Sequence, residues 1–151
     1  MPTKTFTADQ SLQLDNQLCF ALYSASLAMT KLYKPLLKTL GMTYPQYLAM
    51  LVLWERDGLM VSELGNRLSL DSGTLTPLLK RMEAAGWIGR LRDVQDERRV
   101  FITLTSAGRS LKTEAAKVPP CILSAAQCTL PELISLTQQV QALRGRLTAS
   151  A

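Results

Sequence analysis

Apolar residues recur at Leu18, Leu22, Ala25, Met29, Leu32 and Leu36. These steps of three and four predict one long helix over 14–40. Pro35 should kink it or split off its last turn, and Gly41 is a stop signal. Pro45 opens a second helix at its first turn, running to Asp57-Gly58. That helix is apolar almost all round (Leu48, Met50, Leu51, Val52, Leu53, Trp54), which places it centrally. Ser62 is a candidate N-cap for a short helix through Leu68. Asp71 or Ser72 caps the next, which runs to Ala85 and stops at Gly86. Two strands are predicted over 88–93 and 99–104. In the second, Val100, Ile102 and Leu104 alternate with Arg99, Phe101 and Thr103, and 94–98 forms the hairpin tip. Thr105 begins another helix, which Pro119-Pro120 ends or interrupts. Thr129-Leu-Pro-Glu132 reads as a capping box. It opens a last helix carrying Leu133, Leu136, Val140, Leu143 and Leu147.

The expected fold is mainly α with a small β-hairpin wing. Over 45–104 the order helix, helix, helix, hairpin is that of a winged helix-turn-helix. Helices over 14–44 and 105–147 flank it and are too apolar to lie in water. Their simplest use is burial against a second copy of the chain, as dimerisation helices of one interwoven homodimer.

Composition narrows the function classes. A chain of 151 residues suits one compact domain, or a small core with oligomerising arms. Its 47% hydrophobic and 19% charged residues argue against disorder. The net charge of +5 permits a polyanion partner, while 6% aromatic residues are too few for a base-stacking surface. The absence of histidine removes Ser-His-Asp and Cys-His catalysis, His-ligated zinc and imidazole acid–base chemistry. Three cysteines cannot complete a disulfide framework within one chain, and no CxxC pair exists. No metal and no cofactor are expected. Residues 1–12 lack the apolar run of a signal peptide. The longest apolar stretch, over 47–54, is far too short to span a membrane. The expectation is a thiol-bearing cytoplasmic protein with no membrane partner.

The second helix of the helix-turn-helix turns Leu75, Leu78, Leu79 and Met82 to the core. Ser72, Thr74, Thr76, Lys80 and Arg81 fall on or near the other side. Short hydroxyl side chains let a helix enter the major groove of double-stranded DNA closely, and its N-terminus favours phosphate. Lys80 and Arg81 suit the DNA backbone. At the hairpin tip, Arg90, Arg92, Asp96, Glu97, Arg98 and Arg99 form a charge cluster from which an arginine could enter a narrow minor groove. Asp96 would orient that guanidinium. Taken together, these elements point to DNA binding.

The stretch Leu70-Asp-Ser-Gly-Thr-Leu-Thr-Pro-Leu-Leu-Lys80, then Asp96-Glu-Arg-Arg-Val100 and Leu104-Thr-Ser-Ala-Gly108, resembles the MarR family of transcriptional regulators. With Leu18-Cys-Phe-Ala-Leu-Tyr23 and Tyr44-Pro-Gln-Tyr-Leu48, the first stretch is similar to its organic hydroperoxide resistance branch. The similarity covers about residues 14 to 147. It implies a homodimeric repressor, not an enzyme, that grips an inverted-repeat operator and is induced by organic hydroperoxides. It carries DNA contacts onto Ser72, Thr74, Thr76 and Lys80, and onto Asp96 and Arg98 at the wing. It makes Cys19 the oxidant sensor, with Tyr33 and Tyr44 hydrogen-bonding its sulfur and Tyr23 as an accessory. In two-cysteine members a C-terminal cysteine of the other subunit closes an intersubunit disulfide. Cys121, beside the Pro119-Pro120 break, is the favoured resolving thiol, with Cys128 as the alternative.

Cys19 and Tyr33 are fourteen residues apart on one predicted helix, on nearly the same face but roughly 20 Å apart along its axis. They meet only if Tyr33 comes from a partner subunit or the chain bends. A phenol donating to sulfur favours the thiolate that attacks a peroxide, and the resulting sulfenic acid condenses with a nearby thiol. Three rivals remain. One is a regulator released by a reversibly bound small phenolic ligand. A second, a thiol peroxidase, is disfavoured because Cys19 is expected mid-helix with no arginine near it in sequence. A third, a non-specific architectural DNA binder, is disfavoured by the palindrome-reading geometry.

Overall fold

The computed structural model describes residues 3–151, so the first two residues of the polar 1–12 stretch lie outside the described residues. Helix α1 (Ala8–Ser11) and a 3-10 turn (Leu14–Asn16) precede α2 (Leu18–Lys38) and α3 (Tyr44–Glu55). Strand β1 (Leu59–Met60) leads into α4 (Val61–Leu68) and α5 (Ser72–Ala84). Strands β2 (Ile88–Arg92) and β3 (Val100–Leu104) form the wing, and α6 (Ser106–Ala115), α7 (Val118–Ala126) and α8 (Leu130–Ser150) follow.

The winged helix-turn-helix is present, with one strand more than the sequence pattern indicates. β1 pairs antiparallel with β3, Leu59 opposite Ile102, and makes a three-stranded sheet in the order β1-β3-β2. Two residues are too short to show an alternating pattern, so periodicity could not reveal β1. β2 and β3 pair from Ile88–Leu104 to Arg92–Val100.

Local chemistry corrects several predicted boundaries. The long helix starts at Leu18 rather than 14. Asn16 and Gln17 send their side-chain amides back to the carbonyls of Gln10, Ser11 and Gln13, which folds the preceding segment across the chain. Cys19 therefore lies in the first turn of α2, not mid-helix. The helix continues through Pro35 to Lys38 before Gly41 turns the chain at φ +70°. Ser62 is not an N-cap: α4 begins one residue earlier, and Glu63 reaches back to the Met60 N–H at 3.3 Å. Asp71, not Ser72, caps α5, accepting from the Thr74 N–H at 2.7 Å. Pro119 and Pro120 sit inside the first turn of α7, where missing N–H groups cost nothing, and the break falls just before it. At α8, Thr129 accepts from the Glu132 N–H at 3.3 Å, which is half of the expected box.

The core forms around α3, which buries Tyr47, Ala49, Met50, Val52 and Leu53 against Leu37, Leu64, Leu75, Leu79, Met82 and Ile102. Leu75, Leu78, Leu79 and Met82 are all buried, as the period of α5 predicts. The flanking helices differ. α2 and α8 are 21 residues each, yet α2 buries only Leu37 and α8 buries nothing. Leu18, Phe20, Tyr23, Leu27, Leu130, Ile134, Leu136, Val140 and Leu147 stand exposed. No helix among the described residues is long and apolar enough to cross a membrane.

Candidate nucleic-acid interface and thiol site

α4 and α5 are held at a tight turn. Ser69 takes the left-handed conformation at φ 56°, and the Leu70 N–H bonds the Gly65 carbonyl at 3.0 Å. A Cβ on Gly65 would lie 2.9 Å from the Leu70 carbonyl oxygen, so only glycine fits without displacement. With Leu75 packed beneath, this turn fixes how α5 projects. Ser72, Thr74, Lys80 and Arg81 are exposed and Thr76 is half-buried. The hydrogen bonds of the Thr74 backbone and side chain hold the Asp71 carboxyl below its usual range, so the cap is charged at neutral pH.

The wing is a built turn. The Asp93 N–H bonds the Arg99 carbonyl at 2.8 Å, and the Arg99 N–H bonds the Asp96 carbonyl at 3.0 Å. Oδ1 of Asp96 accepts from the Arg98 backbone N–H at 3.0 Å and from Arg98 Nε at 3.2 Å. Those two Arg98 bonds, and then the Arg99 charge, keep the Asp96 carboxyl below its usual range. The carboxylate thus aims a side chain that is itself 91% exposed. Arg98 and Arg99 share a cleft of about 420 Å³ with Ser62, Asn66, Asp71 and Ser72, between the wing and the start of α5. Lys80, Arg90 and Arg92 line a second recess beside Glu83.

The tyrosines gather at the junction of α2 and α3. The Tyr33 ring lies 4.9 Å from Tyr44 and 5.7 Å from Tyr47, centroid to centroid. Burial, then the neighbouring Tyr47 and Tyr44, push the Tyr33 phenol up to about 12, so it remains a hydrogen-bond donor through the physiological range. Tyr47 was not among the tyrosines that sequence reasoning singled out; it is buried on the apolar face of α3, where it reads as core. Tyr23 stands apart and exposed.

Within one chain the sulfurs are not brought to this cluster. Cys19 is exposed in the first turn of α2, about fourteen residues and roughly 20 Å from Tyr33 along the helix. Cys121 is exposed within α7, its thiol on the Lys117 carbonyl at 3.3 Å. It stands in a helix, not at a mobile break. Cys128, half-buried, occupies the link before α8, with its thiol on the Ala126 carbonyl at 3.3 Å. No group of three metal-ligating side chains occurs among the described residues.

Residues 31–115 match the family model described as transcriptional regulator SarA/Rot. An organic hydroperoxide resistance transcriptional regulator of Bacillus subtilis (strain 168) is 57% identical over 112 residues, covering 74% of this chain and 76% of that protein. Reduced AbfR of Staphylococcus epidermidis, solved bound to DNA, superposes with a TM-score of 0.76 at 33% identity over 95% of this chain and 98% of that one. Disulfide-formed AbfR superposes with a TM-score of 0.61 at 36% identity, covering 89% and 95%.

Proposed function

This chain belongs to the MarR family of transcriptional regulators, in its organic hydroperoxide resistance branch, and from that premise we propose that it is a cytoplasmic redox-sensing repressor. The reduced homodimer grips an inverted-repeat operator, and organic hydroperoxide releases it by oxidising Cys19. Residues 45–104 read DNA, while 14–44 and 105–147 join the subunits and carry the sensor. The members of this family are regulators, not enzymes.

Ser72, Thr74 and Thr76 meet the major groove, Lys80 and Arg81 the phosphates, and Arg98, held by Asp96, the flanking minor groove. The Cys19 thiolate attacks the outer peroxide oxygen. The O–O bond breaks, the alcohol leaves with a proton, and a sulfenic acid remains. A thiol of the other subunit then attacks that sulfur and expels water, leaving an intersubunit disulfide. Cys121 is the first assignment for that thiol and Cys128 the second.

The carrying observation is the placement of Cys19 and the tyrosines at opposite ends of α2, on a helix whose exposed apolar side needs a partner. Pairing two such helices antiparallel sets each sulfur beside the other subunit's Tyr33 and Tyr44, with Tyr23 one turn further on. The protonated Tyr33 phenol suits donation to a thiolate.

The test uses a duplex enriched from a randomised library by the reduced protein. Cys19→Ser binds it normally and is not released by cumene hydroperoxide; normal release of that variant overturns the reading. On non-reducing gels, Cys121→Ser abolishes the covalent dimer and Cys128→Ser keeps it, or the reverse if Cys128 resolves.

Release by a reversibly bound phenolic ligand is a second reading. It is favoured by an apolar recess of about 530 Å³ beside Tyr44, lined by Leu37, Met42, Lys34 and Lys38. Peroxide leaving the gel mobility unchanged, while a phenol releases the duplex, selects it.

A further inference from the structure

The tyrosine cluster and the wing sit at opposite ends of α3, roughly 18 Å apart for twelve residues. A signal at one end reaches DNA only if the other end grips the wing. Two side chains make that grip. Trp54 Nε1 donates to the Gly108 carbonyl at 3.0 Å. Asp57, just past the helix, is the denser joint. Its Oδ1 accepts from the Leu104 N–H and the Gly58 N–H, each at 2.8 Å, and its Oδ2 pairs with Arg109 at 3.1 Å.

The register explains why a side chain is needed there. β1 faces β3 with Leu59 opposite Ile102, so continuing the ladder places Asp57 opposite Leu104. The carboxylate takes up the strand N–H that β1 is too short to pair. It closes the sheet end and ties it to α6 through Arg109. The far side of the joint is equally tight. Thr105 bonds the Trp87 carbonyl through its N–H at 3.0 Å and the Gly86 carbonyl through its hydroxyl at 2.6 Å. Both ends of the wing are therefore fastened to the residues that Asp57 holds.

We propose that Asp57 is the positioning residue that couples the tyrosine end of α3 to the wing, so that α3 and the wing base move as one body. Its role in peroxide response rests on the repressor function proposed above; its mechanical role does not. The hydrogen bonds of Asp57 all go to Gly58, Leu104 and Arg109, none to the proposed DNA contacts or to a thiol. Its loss therefore affects the difference between two states more than the affinity of either.

The experiment uses the full chain and has two arms. In the first, without oxidant, Tyr44→Ala disturbs the far end of α3 and hydrogen exchange is followed over Val100–Leu104. In the native background exchange quickens at least about threefold; in Asp57→Ala the same disturbance adds nothing. An equal increment in both backgrounds, or none in the native one, overturns the inference. In the second arm, affinity for the selected duplex is measured before and after cumene hydroperoxide. The wild-type ratio of at least about tenfold falls below about threefold in Asp57→Ala, while Cys19 still oxidises at the native rate by intact mass. A native ratio in that variant overturns the peroxide role. Asp57→Asn keeps an acceptor for Leu104 and loses the charge facing Arg109. It gives an intermediate ratio and stands in if the alanine variant does not melt cooperatively. If the wild-type ratio is one, the sensing function falls and the exchange arm alone decides the coupling.

Discussion

At the scale of single residues, two positions separate recognition from folding. The Arg98 side chain is held by Asp96 and makes no other hydrogen bond or ion pair, so its removal leaves the wing built. Arg98→Ala therefore weakens binding to the selected duplex by about tenfold with no change in melting temperature or in the rate of Cys19 oxidation. Fluorescence anisotropy and intact mass check both halves, and unchanged affinity removes Arg98 from the interface. Gly108 is the opposite case. A Cβ there would run into the Trp87 carbonyl oxygen, a backbone atom that cannot step aside. Gly108→Ala costs on the order of 3 kcal/mol and lowers Tm by roughly 10 °C. A calorimetric scan of the reduced protein measures it. The core face of α5 was legible, and its cap was narrowed to Asp71 or Ser72, because both are local, set by spacing and side-chain type. Gly65 and Gly108 were not. What forbids a larger residue there is a carbonyl brought in by another element, and no neighbouring letter of the sequence reports it.

At the scale of elements, the carboxylate at the end of α3 gives a pH signature. Burial raises the Asp57 titration, but the Leu104 N–H, the Arg109 side chain, the Gly58 N–H and the Arg109 charge together hold it below the ordinary value. The unfolded chain then takes up the proton first. The stabilisation is complete above about pH 4 and is lost as pH falls through the lower folded value. The Tm gap between the native protein and Asp57→Asn is accordingly largest near neutrality and narrows below about pH 4. A gap that stays constant from pH 7 to 3 contradicts the pairing. This joint was hidden in the sequence because its partners lie 47 and 52 residues away. The wing hairpin was visible from its alternation, whereas β1 and the start of α2 depend on contacts that periodicity does not encode. Moving Cys19 from mid-helix to the first turn is the clearest such shift.

At the scale of the molecule, the two 21-residue flanking helices dominate. Between them they bury one side chain, so their apolar rows lie at the surface of the single chain. Val140→Asp, in the middle of α8, places a charge on that row. On the proposed homodimer it yields monomers at micromolar concentration by sedimentation and lowers affinity for the selected duplex by about a hundredfold or more, since one half-site alone then supplies the phosphate contacts. A dimeric Val140→Asp protein assigns the interface elsewhere. Sequence periodicity marked Leu18, Met29, Leu136, Val140 and Leu147 of these rows, whereas Phe20, Tyr23, Leu27, Leu130 and Ile134 stand outside the faces it picked out.

Bare helices also make protomer abundance a variable of the system. In the homodimer proposed above assembly is bimolecular, so the melting point of the reduced protein rises with concentration, and the occupied fraction of a palindrome grows with the square of protomer concentration when dimers are scarce. If the chain acts as the repressor proposed above, a cell holding few copies loses silencing through scarcity alone, with every thiol still reduced, and synthesis rate becomes a second input to the same promoter.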